Sequence, residues 1–229
     1  MTPVESIALW AGLFLVSHLV ISSATVRPRL LAAVGEQPYR GIYSLVAFAT
    51  LGPLIYVFAY HKHAGPMLWM LRQYDSARWL SWFLMLLAFV FFVASLVNPS
   101  PASIGAPSQS AAHGILKITR HPGFVAFSLF GIAHMLMNGW LGDVIFFGMF
   151  PALGVIGGMH QDQRKLRDLG ESYRKLMAET SFAPFAAILS GRQQFTFADV
   201  PWIGLAGGAA VTVMVLALHP FIFGGNPLG

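Results

Sequence analysis

Long uncharged stretches dominate the pattern of polar and apolar positions along the chain. The long stretches without any Asp, Glu, Lys or Arg are blocks at 6–26, 41–61, 79–116, 121–142, 144–161 and 200–229. Each block contains a run of ~20 residues, which is the helical length that crosses ~30 Å of hydrocarbon. Trimming at Pro, Gly and aromatic boundaries predicts transmembrane helices near 5–24, 41–60, 79–97, 123–140, 144–160 and 201–223. The predicted fold class is an all-α, polytopic membrane helical bundle of about six transmembrane helices.

The composition supports this interpretation and narrows the chemistry. Of the 229 residues, 56% are hydrophobic and only 10% are charged, whereas soluble domains carry about 25% charged residues. The chain has no cysteine, which excludes disulfides, thiolate metal sites and thiol nucleophiles. The first apolar segment lacks a basic start and a small-residue cleavage site, so we expect a membrane span there and not a cleaved signal peptide.

The positive charges predict the orientation. Eleven of the 14 Lys and Arg residues lie in segments 25–40, 98–122 and 161–200. The positive-inside rule therefore predicts that these segments are cytoplasmic and that both termini lie outside. Topology explains the pI of about 9.8, so we expect no nucleic-acid partner. The expected partners are membrane lipids, a lipophilic small molecule and another membrane protein.

The connecting segments differ in character. Residues 98–122 are rich in Gly, Pro and Ser, which is typical of an irregular loop. Residues 161–180 place apolar side chains at three- to four-residue spacing, which predicts a short cytoplasmic amphipathic helix. Residues 182–197 carry Phe, Ile and Leu side chains that we expect in the membrane interface.

Two of the eight histidines fall deep inside predicted spans, namely His18 and His134. An imidazole in hydrocarbon needs a partner, which makes both residues candidates for a functional site. One interpretation is an interhelical hydrogen bond; the other is that they are the axial ligands of haem iron. Gly131 and Ala133 either leave room for a macrocycle or serve helix packing. Counting ~1.5 Å per residue from the nearest arginine places the two histidines at depths that differ by ~7 Å.

Haem propionates would need cations near the cytoplasmic face. The candidates are Arg27, Arg40, Arg120 and His121, although topology alone also explains the arginines. Arg120 and His121 precede Pro122 at a predicted helix start, where the positive end of the helix favours anions. Thr119 is placed to cap that helix.

Several short motifs, in order, resemble the NnrU family of bacterial integral membrane proteins. They are His18-x4-Ser23-x3-Arg27, Gly-Glu-x-x-Tyr-Arg at 35–40 followed by Tyr43-Ser44-Leu45, Leu68-Trp69, Thr-Arg-His-Pro at 119–122, His134 with Asn138-Gly139, and Asp162-x-Arg-Lys. The resemblance implies an NnrU-like membrane domain over residues 1–185, with 186–229 forming an interfacial segment and a final span. It also implies a bacterial cytoplasmic (inner) membrane location, periplasmic termini and a link to nitrite and nitric oxide reduction.

The zeta-carotene isomerases look like relatives of the same group. That likeness implies haem b bound by His18 and His134 as the cofactor for cis–trans isomerisation of a polyene, and it matches His61 to a further histidine. In the isomerases a thiol lies one turn before the second ligand. This chain has Gly131 at that position, so a ligand exchange through a thiol is excluded.

Two alternative functions remain open. Arg120-His121-Pro122, with Gly170-x-x-Tyr173, resembles membrane methyltransferases of the isoprenylcysteine carboxyl methyltransferase type, which bind S-adenosylmethionine. Gln161-Asp162-Gln163 stands where those enzymes have paired glutamates. The third hypothesis is a non-enzymatic membrane adaptor for a reductase.

Overall fold

The computed structural model describes residues 1–101 and 112–227, and these residues are predominantly helical. The helices are α1 (Pro3–Ile21), α2 (Val26–Val34), α3 (Glu36–Tyr60), α4 (Asp75–Val97), α5 (Ile115–Ile118), α6 (Pro122–Met137), α7 (Leu141–Leu169), α8 (Glu171–Glu179), α9 (Ala186–Leu189) and α10 (Trp202–Phe223). Short 3-10 turns cover Leu71–Gln73 and Phe197–Asp199. Part of the predicted loop 98–122 lies outside the described residues, and its described end contains α5.

Five helices within the described ranges are long and apolar enough to cross a membrane: α1, α3, α4, α7 and α10. The sixth predicted span corresponds to α6, an apolar helix of 16 residues. The structure thus confirms a polytopic all-α membrane protein, whereas the sixth predicted span corresponds to a helix that is shorter than the other five.

The helix ends follow local sequence signals. Thr2 caps α1 in a capping box with Glu5, and Pro3 occupies the first turn, where its missing N–H costs nothing. α7 continues past its predicted end to Leu169. Gly170 then adopts a left-handed φ of 57°, a conformation that favours glycine. The predicted helix 161–180 is therefore the end of α7 followed by α8.

The chain forms two compact units. Unit 1 comprises Met1–Ser81 and Gly131–Asp168, and unit 2 comprises Trp82–Phe130 and Leu169–Gly229. The domain boundary predicted at residue 185 stays a prediction.

In unit 1, the segment after α3 is joined to the turn between α6 and α7 by backbone hydrogen bonds. The N–H of Leu68 donates to the Gly139 carbonyl at 2.7 Å, and the N–H of Gly142 donates to the Ala64 carbonyl at 2.9 Å. A Cβ on Gly139 would lie 2.0 Å from the Trp69 carbonyl oxygen, so only glycine permits this approach. This connection fixes one end of unit 1, which we call the loop end.

In unit 2, small residues bring α10 against α4. Added Cβ atoms would lie 2.6 Å from the Ala94 Cβ at Gly204 and 2.5 Å from the Val90 Cα at Gly208. Close backbone approach through small residues is the usual way in which helices associate in lipid. α10 is therefore held by shape complementarity and not by polar contacts alone.

An ion pair also stabilises unit 2 outside the spans. The Lys117 Nζ lies 2.9 Å from the Asp199 carboxylate, and both side chains are mostly buried. The Thr196 hydroxyl and backbone N–H also donate to this carboxylate. The hydrogen bond from Lys117 is the main cause that lowers the pKa of Asp199 from 3.8 to about 2.

We predict that Asp199→Asn removes an acid-dependent part of the stability. A carboxyl whose pKa is lower in the folded state stabilises the fold above its unfolded pKa of 3.8, and this stabilisation is lost as pH falls towards about 2. The unfolding midpoint of the detergent-purified wild type should fall across this pH range, and the variant should show a smaller fall. Glu179→Gln is the matched control, since Glu179 only approaches the exposed Lys175 at 4.0 Å. Equal pH profiles for wild type and Asp199→Asn would contradict the assignment.

Candidate functional site

His18 lies three residues before the end of α1 and faces α3. Its Nε2 is 2.5 Å from the phenol oxygen of Tyr43, and the two ring centroids are 4.7 Å apart. Phe14 covers the other flank of the imidazole with its ring centroid 5.1 Å away. The imidazole in α1 is therefore half-buried and hydrogen-bonded to another membrane helix.

Further aromatic and basic side chains lie beyond the His18–Tyr43 pair, towards the C-terminal end of α1. Tyr39 is buried, and its hydroxyl donates to the Ile21 carbonyl at 3.3 Å. The guanidinium of Arg27 lies 5.7 Å from the centroid of the Tyr39 ring, within the range of a cation–π contact. Arg27 also approaches the Asp168 carboxylate at 3.6 Å.

Arg164 on α7 joins the same group. Its half-buried guanidinium interacts electrostatically with Arg27, Asp168, Tyr39 and Tyr43. Lys165 in turn interacts with Arg164, Asp168 and Arg27. We call Arg27, Arg164, Lys165 and Asp168 the basic cluster, and the end of unit 1 that carries it the basic end.

His134 lies on α6 in unit 1, close to the loop end. Its ring stacks on Phe147 of α7 with centroids 4.5 Å apart and planes 21° from parallel. A Cβ on Gly131 would lie 2.5 Å from the Phe147 carbonyl oxygen. The fully buried Ala133 accepts a hydrogen bond from Ser81 at its carbonyl, at 3.0 Å. Of the two interpretations of these small residues, the structure therefore supports helix packing.

The depths of the two histidines can be compared through the loop end. Gly142 at the start of α7 lies beside Ile7 of α1, and α1 and α7 both run from there to the basic end. Phe147 follows Gly142 by about five positions, so it is level with a residue about five positions beyond Ile7 on α1. His18 lies about six positions further along α1, which corresponds to ~9 Å. Because His134 stacks on Phe147, His18 is ~9 Å nearer the basic end than His134. This offset is close to the ~7 Å expected from the sequence, and helix tilt would have to absorb it for both imidazoles to bind one haem.

The other residues predicted to bind the haem propionates lie in different surroundings. Arg40 is exposed on α3 and pairs with Glu36 at 2.6 Å. Arg120 and His121 belong to unit 2, where both are buried. The backbone N–H of Arg120 donates to the Ser181 carbonyl at 3.0 Å, and its guanidinium lies 5.9 Å from the centroid of the Phe182 ring.

Sequence reasoning did not assign a role to Tyr43 or Arg164. Both belong to short motifs that carry the family resemblance, Tyr43-Ser44-Leu45 and Asp162-x-Arg-Lys. Neither residue stands out by depth or charge alone, because phenols are common in membrane helices and basic residues are common at their ends. Only the packing of α1, α3 and α7 brings them beside His18 and Arg27.

A second polar pair at the loop end was also missed. Asp143, in the first turn of α7, is 1% exposed and accepts hydrogen bonds from the His63 backbone N–H at 3.3 Å and from Nδ1 at 2.7 Å. His63 itself has a left-handed φ of 61°. The carboxylate benefits from the positive end of α7 and holds the loop end in place.

Together these features define a polytopic helical membrane protein with two histidines in its membrane helices and a basic cluster at one end. The family model for NnrU protein matches residues 7–227. The chain belongs to the NnrU family.

Two curated plant proteins are similar to the chain. It is 30% identical over 201 residues to the chloroplastic 15-cis-zeta-carotene isomerase of Zea mays, covering 81% of this chain and 51% of the relative. It is 27% identical over 206 residues to the enzyme of the same name from Arabidopsis thaliana, covering 84% and 54%. The chain thus spans about half the length of these relatives. No solved structure matches.

We predict that His63→Ala destabilises unit 1 by about 1–3 kcal/mol, because the buried Asp143 loses the Nδ1 hydrogen-bond donor. His63→Asn should destabilise less, since asparagine tolerates a left-handed φ. The unfolding midpoint in detergent measures both effects. His61→Ala, at an exposed position in the same segment, is the control. Equal midpoints for His63→Ala and His61→Ala would show that the pair contributes no stability.

Proposed function

We propose that this protein is a membrane isomerase that acts on a lipophilic polyene and binds haem b through His18 and His134. The observation that carries the proposal is its similarity, over most of the chain, to two 15-cis-zeta-carotene isomerases. The proposal applies the reaction class of those relatives to a chain that is about half as long.

The residues of unit 1 fit haem b in their donor chemistry. Two imidazoles lie in membrane helices of the same unit, and neutral imidazoles are common axial ligands of haem iron. The basic cluster at one end of the unit suits the two carboxylates of the macrocycle, and Arg27 is the predicted cation that belongs to it. Because Gly131 and Ala133 pack against neighbouring helices, they do not provide space for the ring.

Tyr43 sets a condition on this fit. A metal ligand must offer a nitrogen lone pair, and the phenol occupies Nε2 of His18 at 2.5 Å whichever partner donates the proton. The phenol therefore has to leave His18 before that nitrogen can bind iron. The Ser22 hydroxyl is a nearby alternative partner for it.

The residues of unit 1 would then have separate roles. His18 and His134 hold the cofactor, and Arg27 with Arg164 orients its carboxylates at the basic end. When bound, haem supplies a Lewis-acidic iron that can lower the barrier to rotation about a double bond. Phe14 beside His18 and Phe147 beside His134 would shield the two imidazoles from water.

We predict that protein purified from haem-replete cells shows a Soret band, with sharp low-spin bands after dithionite. Both His18→Ala and His134→Ala should abolish this spectrum, because each removes one axial ligand. His61→Ala should retain it, since His61 lies at an exposed position beyond the end of α3. Absorption spectroscopy of the four proteins measures this.

A colourless, folded wild-type protein would refute the cofactor assignment. Loss of the spectrum in His61→Ala would show that the ligand pair is wrong. Conversion of a cis polyene by the haem-loaded protein, and not by the haem-free protein, would then test the reaction itself.

Removing the Tyr43 hydroxyl should strengthen haem binding. If the phenol competes for Nε2, Tyr43→Phe removes one hydrogen bond of about 1 kcal/mol, which corresponds to about fivefold higher haem affinity. Titration of the haem-free protein with haemin measures the dissociation constant. Tyr56→Phe, at an exposed position of the same helix, is the control. Weaker binding by Tyr43→Phe alone would mean that the phenol supports the bound cofactor.

The other hypotheses stay predictions. These are the methyltransferase and adaptor functions, the link to nitrite and nitric oxide reduction, the inner-membrane location and the periplasmic termini.

A further inference from the structure

The basic end of unit 1 groups the cations Arg27, Arg164 and Lys165 with the carboxylate of Asp168. Arg27, Arg164 and Lys165 interact with one another and with Asp168. Asp168 approaches Arg27 only at 3.6 Å, with a carboxylate that is 45% exposed. The cluster therefore keeps an excess of cations, although like charges in proximity repel one another.

Arg164 is the cation of this cluster whose guanidinium is placed to bind an oxyanion. Its guanidinium is half-buried and interacts electrostatically with Arg27 and Asp168. Within the described residues, no carboxylate, carbonyl or hydroxyl hydrogen-bonds its guanidinium. A guanidinium has five N–H donors arranged to bind an oxyanion at two points. This half-buried side chain thus has donors available beside a second guanidinium.

The surrounding residues hold the Arg27 side chain and the helix that carries Arg164 in place. The ring of the buried Tyr39 supports Arg27. Arg167 donates to the Ala24 carbonyl at 2.8 Å, which ties α7 to the turn after α1. The Arg27 side chain and the end of α7 that carries Arg164 are therefore held in place before any ligand binds, and such preorganisation reduces the entropy lost on binding.

The position of the cluster indicates where its ligand comes from. The helical path from Gly142, at the loop end, to Arg164 is ~33 Å long. This length is close to the ~30 Å hydrocarbon thickness of a bilayer. With Gly142 at one membrane surface, as the predicted span 144–160 places it, Arg164 lies at the level of the opposite lipid headgroups, where oxyanions are attached to hydrophobic molecules.

We propose that Arg27 and Arg164 form a binding site for an oxyanion carried by a membrane amphiphile. Two sources share this chemistry, namely the phosphate of an anionic phospholipid and the carboxylates of haem. Only the second source rests on the proposed function. The site itself does not require haem.

The first arm of the test uses haem-free protein in uncharged detergent. Phosphatidylglycerol and phosphatidylcholine are titrated separately, and native mass spectrometry counts the bound lipids. Wild type should prefer phosphatidylglycerol, and Arg164→Gln should weaken this binding by about tenfold. Arg29→Gln is the matched control, since it removes the same charge from an exposed position near Arg27. Arg164→Lys keeps the charge without the two-point geometry and should give an intermediate affinity.

The second arm compares haemin with its dimethyl ester, which lacks the free carboxylates. If haem is the source, Arg164→Gln weakens the binding of haemin and leaves the binding of the ester unchanged. Absence of any haem spectrum in wild type refutes the proposed function and leaves the lipid arm to decide. The site is overturned if Arg164→Gln, with an unchanged unfolding midpoint, matches Arg29→Gln for every ligand.

Discussion

The hydrocarbon of the bilayer offers no hydrogen-bond partner, and this constraint governs the rest of the structure. Every polar group in a span must find its partner inside the protein. His18 finds Tyr43 on a neighbouring helix, and Ser81 finds the Ala133 carbonyl. Where the partner lies on another helix, as it does for these two side chains, the polar side chain also specifies which helices pack together.

The two ends of unit 1 differ in how their charged groups are paired. At the loop end, the buried Asp143 is satisfied by two donors from His63, so its charge contributes to structure. At the basic end, Arg27, Arg164 and Lys165 outnumber Asp168. One end therefore has matched donors and acceptors, whereas the other has an excess of donors that suits an anionic ligand.

The chain belongs to the NnrU family, and the two histidines in unit 1 have different surroundings. His18 is hydrogen-bonded to Tyr43 on α3. His134 stacks on Phe147 of α7, and Gly131 on the same helix lets α6 approach the α7 backbone. Polar contact therefore surrounds one imidazole, whereas close helix packing surrounds the other.

The sequence by itself determined the class of fold and the two deep histidines. A shortage of charge forces apolar segments into the membrane, and an imidazole within such a segment is evident without coordinates. Helix limits such as Gly170 were less predictable, because a charged amphipathic helix can simply continue a span. Partners separated widely in sequence, such as His18 with Tyr43 or Asp143 with His63, are not encoded in any local pattern. Only the tertiary structure decided them, since they depend on which helices pack together and at what depth.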